Sequence, residues 1–204
     1  MTKTLFTLTI SSVLLAPCLA QEVVPLDEAQ RGARKVTDAL GTPTDAPFTL
    51  TVDITKPQAI RADKAGLLVI PDKQLSLEAI AASGANITPI GQLWMLNVSL
   101  GKEGQAVAND KLRFLTVNDG ENDLPVQLYY LGVTKNAEGK LDLVIFAKDK
   151  EPLLKQALTK FESVSSQLLP IEISGKKEDD NTGTLSLNLL GQYKVDLTVK
   201  RPAE

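Results

Sequence analysis

The chain ends in GTLSLNLLGQYKVDLTVK, where Leu185, Leu187, Leu189, Tyr193, Val195, Leu197 and Val199 all fall at odd positions. Apolar residues at every second place set one row of side chains on one face of an extended strand and leave the other face wet. A helix, with its period of 3.6, cannot keep that row on one side. The row also constrains the turn. A two-residue hairpin at Leu190-Gly191 would pair Leu189 with Gln192 and throw the second half of the row onto the opposite face. Either a three-residue loop with Gly191 in the left-handed region keeps the register, or one long strand bends at Gly191.

The same grammar runs upstream. FTLTVDI places Phe48, Leu50, Val52 and Ile54 opposite Thr49, Thr51 and Asp53, as in a strand with one wet side. AGLLVIP at 65–71 is apolar on both faces, the mark of a covered strand. QLWMLNVSL alternates through Trp94, Leu96, Val98 and Leu100, and KLRFLTV at 111–117 follows. VQLYYLGV at 126–133 and LDLVIFA at 141–147 are joined by TKNAEGK, a glycine-bearing hairpin loop. LSLEAIAASG predicts a short helix ending at Gly84, and SGKKEDDNTG a polar connection. About nine strands at this spacing predict a mainly β (α+β) fold, an antiparallel β-sandwich or half-open barrel.

Two longer helices are expected. Leu26, Ala29, Ala33, Val36 and Leu40 make a stripe over 26–40, with Pro25 at its start and Gly41 and Pro43 at its end. Gly32 inside it and the half-alanine stripe predict a loosely attached helix. In EPLLKQALTKFESVSSQLLP, Leu153, Leu154, Ala157, Leu158, Phe161, Val164 and Leu168 predict a well-docked amphipathic helix over 152–168.

Residues 1–20, MTKTLFTLTISSVLLAPCLA, carry Lys3, then an uncharged apolar run, then a small-residue end at Ala20. That is the order of a secretory signal peptide, and an apolar run of about 12 residues falls short of the roughly 20 that span a bilayer. Cys18 is the chain's one cysteine. Pro17 occupies the place where lipoprotein processing wants a small residue, which favours cleavage after Ala20 over a lipid anchor at Cys18. The expected mature chain is then 21–204, with 21–47 a helix and linker and 48–204 a single β-rich domain. It has no disulfide, and its expected location is periplasmic or extracellular.

Composition narrows the chemistry. The sequence contains no histidine, which removes Ser-His-Asp and Cys-His catalysis and histidine metal ligands. Without cysteine in the mature chain, thiolate nucleophiles and Cys-type metal sites go too. A net charge of −3 and no long basic run argue against nucleic acid. No cofactor motif and no later membrane-spanning segment is present, so a non-enzyme is expected.

Three sets of residues are left as candidates. Asp119, Glu121 and Asp123 cluster about Gly120 as oxygen ligands that suit calcium, or as a solvated turn. Trp94 and Tyr130, with Leu154, Leu158 and Phe161 of the 152–168 helix, would line a hollow for an apolar ligand between sheet and helix. Tyr129 and Tyr130 must face opposite ways, so only one serves any given site. The leading functional expectation is an exported binder of an unidentified protein or envelope partner through the β domain. The alternatives are a carrier of an apolar small molecule and a hydrolase using Asp119 and Asp123 as paired carboxylates.

Overall fold

The computed structural model describes residues 21–161 and 167–202. The expected leader, residues 1–20, therefore lies outside the described residues. The larger of two antiparallel sheets has eight strands. They run in the order β1 (Glu22–Val23), β2 (Gln58–Ala62), β3 (Ala65–Pro71), β4 (Thr88–Leu96), β8 (Asp123–Lys135), β9 (Leu141–Phe146) and β10 (Leu154–Ala157). β7 (Arg113–Asn118) joins β8 over Asp123–Leu128, and β9 joins it over Tyr130–Lys135.

The smaller sheet has six strands. β12 (Ile171–Lys177), β13 (Thr182–Leu189) and β14 (Tyr193–Lys200) lead on to β5 (Ser99–Lys102) and β6 (Gln105–Ala106), with β11 (Thr159–Lys160) also on β14. The chain passes between the sheets three times: between β4 and β5 at Asn97, whose φ is 55°, between β6 and β7 through residues 107–112, and between β10 and β11 at Leu158. The molecule is mainly β and sandwich-like, and the described strands close no barrel.

Alternation dictates which residues meet. The odd-numbered row of β13 and β14 faces the large sheet, where Leu185, Leu187, Leu189, Val195 and Leu197 share a core with Leu93, Met95, Tyr129 and Leu131. The register is kept by a three-residue loop. Leu189 pairs with Tyr193, and Leu190 and Gly191 take φ of 51° and 65°. The outer face of the large sheet is apolar as well, carrying Leu68, Ile70, Trp94, Leu128, Tyr130, Val144 and Phe146. It is covered by helix α1 (Leu26–Leu40) and by the segment Ala46–Ile54. Strands covered on both faces read as continuous apolar runs, which explains AGLLVIP.

Four expectations change. The predicted 152–168 helix is not formed: Leu154–Ala157 is β10, paired with Asp142–Ile145 of β9, and Thr159–Lys160 is β11. Residues 162–166 lie outside the described residues. The physical reason is the edge of β9, whose backbone groups would otherwise stay open and which takes a partner strand in place of a helix. The predicted strand at 48–54 forms only an isolated bridge, Val52 to Asp72. Its alternation is nevertheless used, since Phe48, Leu50, Val52 and Ile54 all pack on the outer core. The helix at 26–40 is docked, with Ala29, Ala33 and Val36 buried, though Leu26 remains 48% exposed. Finally, Ile171–Lys177 and Thr182–Leu189 are strands, so the polar connection shrinks to 178–181. The short helix is present as α2 (Leu77–Ala81), capped by the Ser76 hydroxyl on Ala79 N–H at 3.1 Å.

Candidate functional site

Helix α1 starts where Pro25 fixes the backbone, carries Asp27 and Glu28 in its first turn, and stops at Gly41, whose N–H reaches Thr37 O at 3.1 Å. Acidic residues at the first turn favour the helix dipole. Its inward stripe is built of small residues, Ala29, Gly32, Ala33 and Val36. Small side chains leave room between the helix and the sheet. A cleft of about 400 Å³ occupies that room, lined by Ala29, Gly32, Gly66, Leu68, Trp94 and Leu96 among others.

Two glycines on this lining have no structural need to be glycine. A Cβ added to Gly32 would meet only Leu68 Cδ2, at 4.0 Å, and one added to Gly66 only Leu96 Cβ, at 3.8 Å. Both are ordinary contacts, and neither residue adopts a positive φ. Glycine inside a helix or strand costs roughly 0.5–1 kcal/mol against alanine. Elsewhere the contrast is sharp, because a Cβ on Gly91 would stand 2.5 Å from Ile70 O.

The rim is polar and balanced. Arg61 donates to both carboxylate oxygens of Glu22 at 2.9 and 2.9 Å and to Glu28 at 3.0 Å. Arg31 pairs with Asp27 at 2.9 Å, and Lys35 donates to Asp119 O at 2.7 Å. The Arg61 guanidinium holds the Glu22 carboxyl below its ordinary value. Trp94 sits on the floor with its indole N–H donating to Gln92 Oε1 at 3.1 Å, and it is 2% exposed. The cleft therefore offers apolar contact within a rim whose three cations, Arg31, Lys35 and Arg61, are matched in number by Asp27, Glu22 and Glu28. Its polar groups are already partnered.

The candidate residues separate. Trp94 lines the cleft. Tyr130 shares its sheet face but stands further along it, edge-on to Phe48 at 6.2 Å and beneath the Arg113 guanidinium at 5.9 Å. Arg113 is held there by Asp45, with both nitrogens at 2.8 Å. Tyr129 faces the other way, into the inter-sheet core, and donates to Gln127 Oε1 at 2.6 Å. Burial pushes its phenol up to about 12. Leu154 and Leu158 pack against that inter-sheet core, on the opposite face from Trp94, and Phe161 follows β11. The five residues expected around one hollow do not converge.

Asp119, Glu121 and Asp123 are exposed. Asp119 Oδ1 accepts the backbone N–H groups of Glu121 and Asn122, both at 2.8 Å, and those bonds hold its carboxyl below the ordinary range. Asp123 Oδ1 accepts from Asn118 Nδ2 at 2.8 Å. The acids thus shape the β7–β8 turn, and among the described residues no group of three acidic side chains is placed to hold a metal ion. A second cleft of about 450 Å³ lies between the β5–β6 hairpin and residues 147–153. Lys102, Lys111 and Lys148 line it together with Glu103, Asp149 and Glu151, so its charges also cancel.

The lining glycines were the residues that sequence reading did not assign. Their signal was present, since Gly32 interrupts a helical stripe where alanine would serve better. No helix among the described residues is long and apolar enough to cross a membrane. No family model, no curated protein and no solved structure matches the chain.

Proposed function

We propose that this protein is an exported, non-catalytic binding protein that takes an uncharged apolar small molecule into the cleft between α1 and the large sheet. The observation that carries the reading is the pair Gly32 and Gly66. Each costs stability in a regular element, each has space for a methyl group, and both border one cleft. Kept empty, that space has a use as a binding volume. The volume falls in the range of small-molecule sites. The three rim cations Arg31, Lys35 and Arg61 are matched in number by Asp27, Glu22 and Glu28, which favours a ligand without net charge. Export is supported by the leader pattern of residues 1–20, and the absence of catalysis by the lack of histidine.

Trp94 is the only tryptophan in the chain, so its fluorescence reports on this cleft alone. Titration with 1-decanol is expected to give a saturable change in Trp94 emission, and decanoate a much weaker one. Gly32→Leu fills the cleft and is expected to weaken 1-decanol binding about ten-fold or more, with the circular dichroism spectrum unchanged. A non-saturable response, or equal binding by Gly32→Leu, removes the reading. Crosslinking of an envelope protein to the folded chain in that case would return the function to partner binding.

A further inference from the structure

Gln21 is the residue that the leader reading makes the new N-terminus, and its side chain is held in place. Its Oε1 accepts a hydrogen bond from the backbone N–H of Gly175, on the edge strand β12. A Cβ on Gly175 would stand 3.2 Å from Gln21 Oε1 and 3.8 Å from Gln21 Cδ. The missing side chain and the free edge N–H together form a cradle for the carbonyl end of that amide. The next residues are pinned too. Val24 N–H donates to Ala59 O at 2.9 Å, and Glu22 is clamped by Arg61. A chain cut before Gln21 has no loose tail.

We propose that the exported chain carries pyroglutamate at position 21, a modification that rests on the export reading. The reaction needs no co-reactant. The free α-amino nitrogen attacks Cδ of its own side chain, forming a C–N bond in a five-membered lactam, and the Cδ–Nε2 bond breaks. Nε2 departs as ammonia with the proton that the amine sheds, and nothing is oxidised or reduced. The Gly175 N–H sits on the oxygen where negative charge develops as the amine adds, the arrangement that stabilises an oxyanion. The lactam retains a carbonyl oxygen able to accept from the Gly175 N–H, and the charge of the terminal ammonium disappears. Gln58 Oε1 caps the neighbouring edge donor, Ile173 N–H, in the same way. These two covered donors blunt the middle of the β12 edge against a further strand.

The test is the intact mass and first-peptide map of the protein recovered after export by its own cells. The expected product starts at Gln21 and lacks one ammonia. A Gln21→Ala variant is expected to start at the same position with no such loss and to melt at a lower temperature. Gly175→Ala, whose methyl crowds the amide, is expected to reduce the cyclised fraction about three-fold. A product that starts at Gln21 with its ammonia retained overturns the modification and leaves export standing. An unchanged cyclised fraction in Gly175→Ala overturns the role of the cradle. A product that starts elsewhere, or at an acylated Cys18, overturns export and the modification with it.

Discussion

Single residues in this protein do opposite work with the same chemistry. Gly91 lies at the β4–β8 bulge with φ of 157°, where a methyl group would press on the Ile70 carbonyl. Gly91→Ala is expected to cost on the order of 2–4 kcal/mol in urea denaturation. Gly32→Ala is expected to stabilise by about 0.5–1 kcal/mol in the same assay, since its methyl meets only ordinary contact. Asp72 is buried, and its carboxylate accepts from Thr51 N–H and Gln74 N–H, both at 2.8 Å. The Thr51 bond ties the covering segment 46–54 to the sheet and the Gln74 bond shapes the turn after β3, and Asp72→Ala is expected to cost about 2 kcal/mol by leaving two amides without a partner. Tyr129 supplies a pH signature. Its phenol ionises near 12 in the folded protein, above the unfolded value of about 10. Stability from this group is therefore complete below pH 10 and is lost as pH rises through about 12, a loss of about 3 kcal/mol. Ultraviolet titration of tyrosinate against the unfolding midpoint reads both sides of that linkage.

At the scale of elements, the instructive segment is 152–161. Its leucines recur at helical spacing, and the helix would have suited an isolated peptide. A strand wins because β9 offers an open edge, while Leu154 and Leu158 still reach the inter-sheet core. Local period and backbone satisfaction compete here, and the sheet edge decides. The N-terminal elements, docked by the buried stripe of α1 and by β1–β2 pairing, are also linked by surface charge. Arg61 on β2 joins Glu22 of β1 to Glu28 of α1. Glu22 has its folded pKa lowered by the Arg61 hydrogen bond, so its contribution is present above the unfolded glutamate value and fades as pH falls through the folded one. Because the pair is exposed, salt screens it. Hydrogen exchange at Val24, corrected for intrinsic rates, is expected to lose protection as pH falls below the ordinary glutamate value and in high salt, while the inter-sheet core stays protected. Equal loss of protection in both places would show that β1 does not open on its own.

The whole molecule is three layers: α1 with residues 46–54, the large sheet, and the small sheet. The middle layer serves two cores, so damage on one side is felt on the other. Leu187→Ala, in the small sheet and fully buried, is expected to cost about 2–5 kcal/mol. Trp94 fluorescence from the outer core and far-ultraviolet dichroism from both sheets are expected to move to one common midpoint. Separate midpoints would mean that the outer layer unfolds independently. Much of this architecture was legible beforehand. Strict alternation defined the apolar row of β13 and β14 and excluded a two-residue hairpin at Gly191, because a one-residue slip would expose an entire apolar row. The apolar run at 65–71 announced a strand covered on both faces, and Pro25 and Gly41 bounded α1. Those features are local, and local sterics and side-chain periodicity are enough to determine them. Pairing is not local. Which edge accepts residues 154–157, why 48–54 lies beside the sheet without joining it, and where α1 comes to rest depend on distant backbone groups that must be satisfied together. The cleft belongs to that second kind. Gly32 could be seen as a cost in a helix, but only its meeting with Gly66, Leu68 and Trp94 across the layer turns that cost into a site.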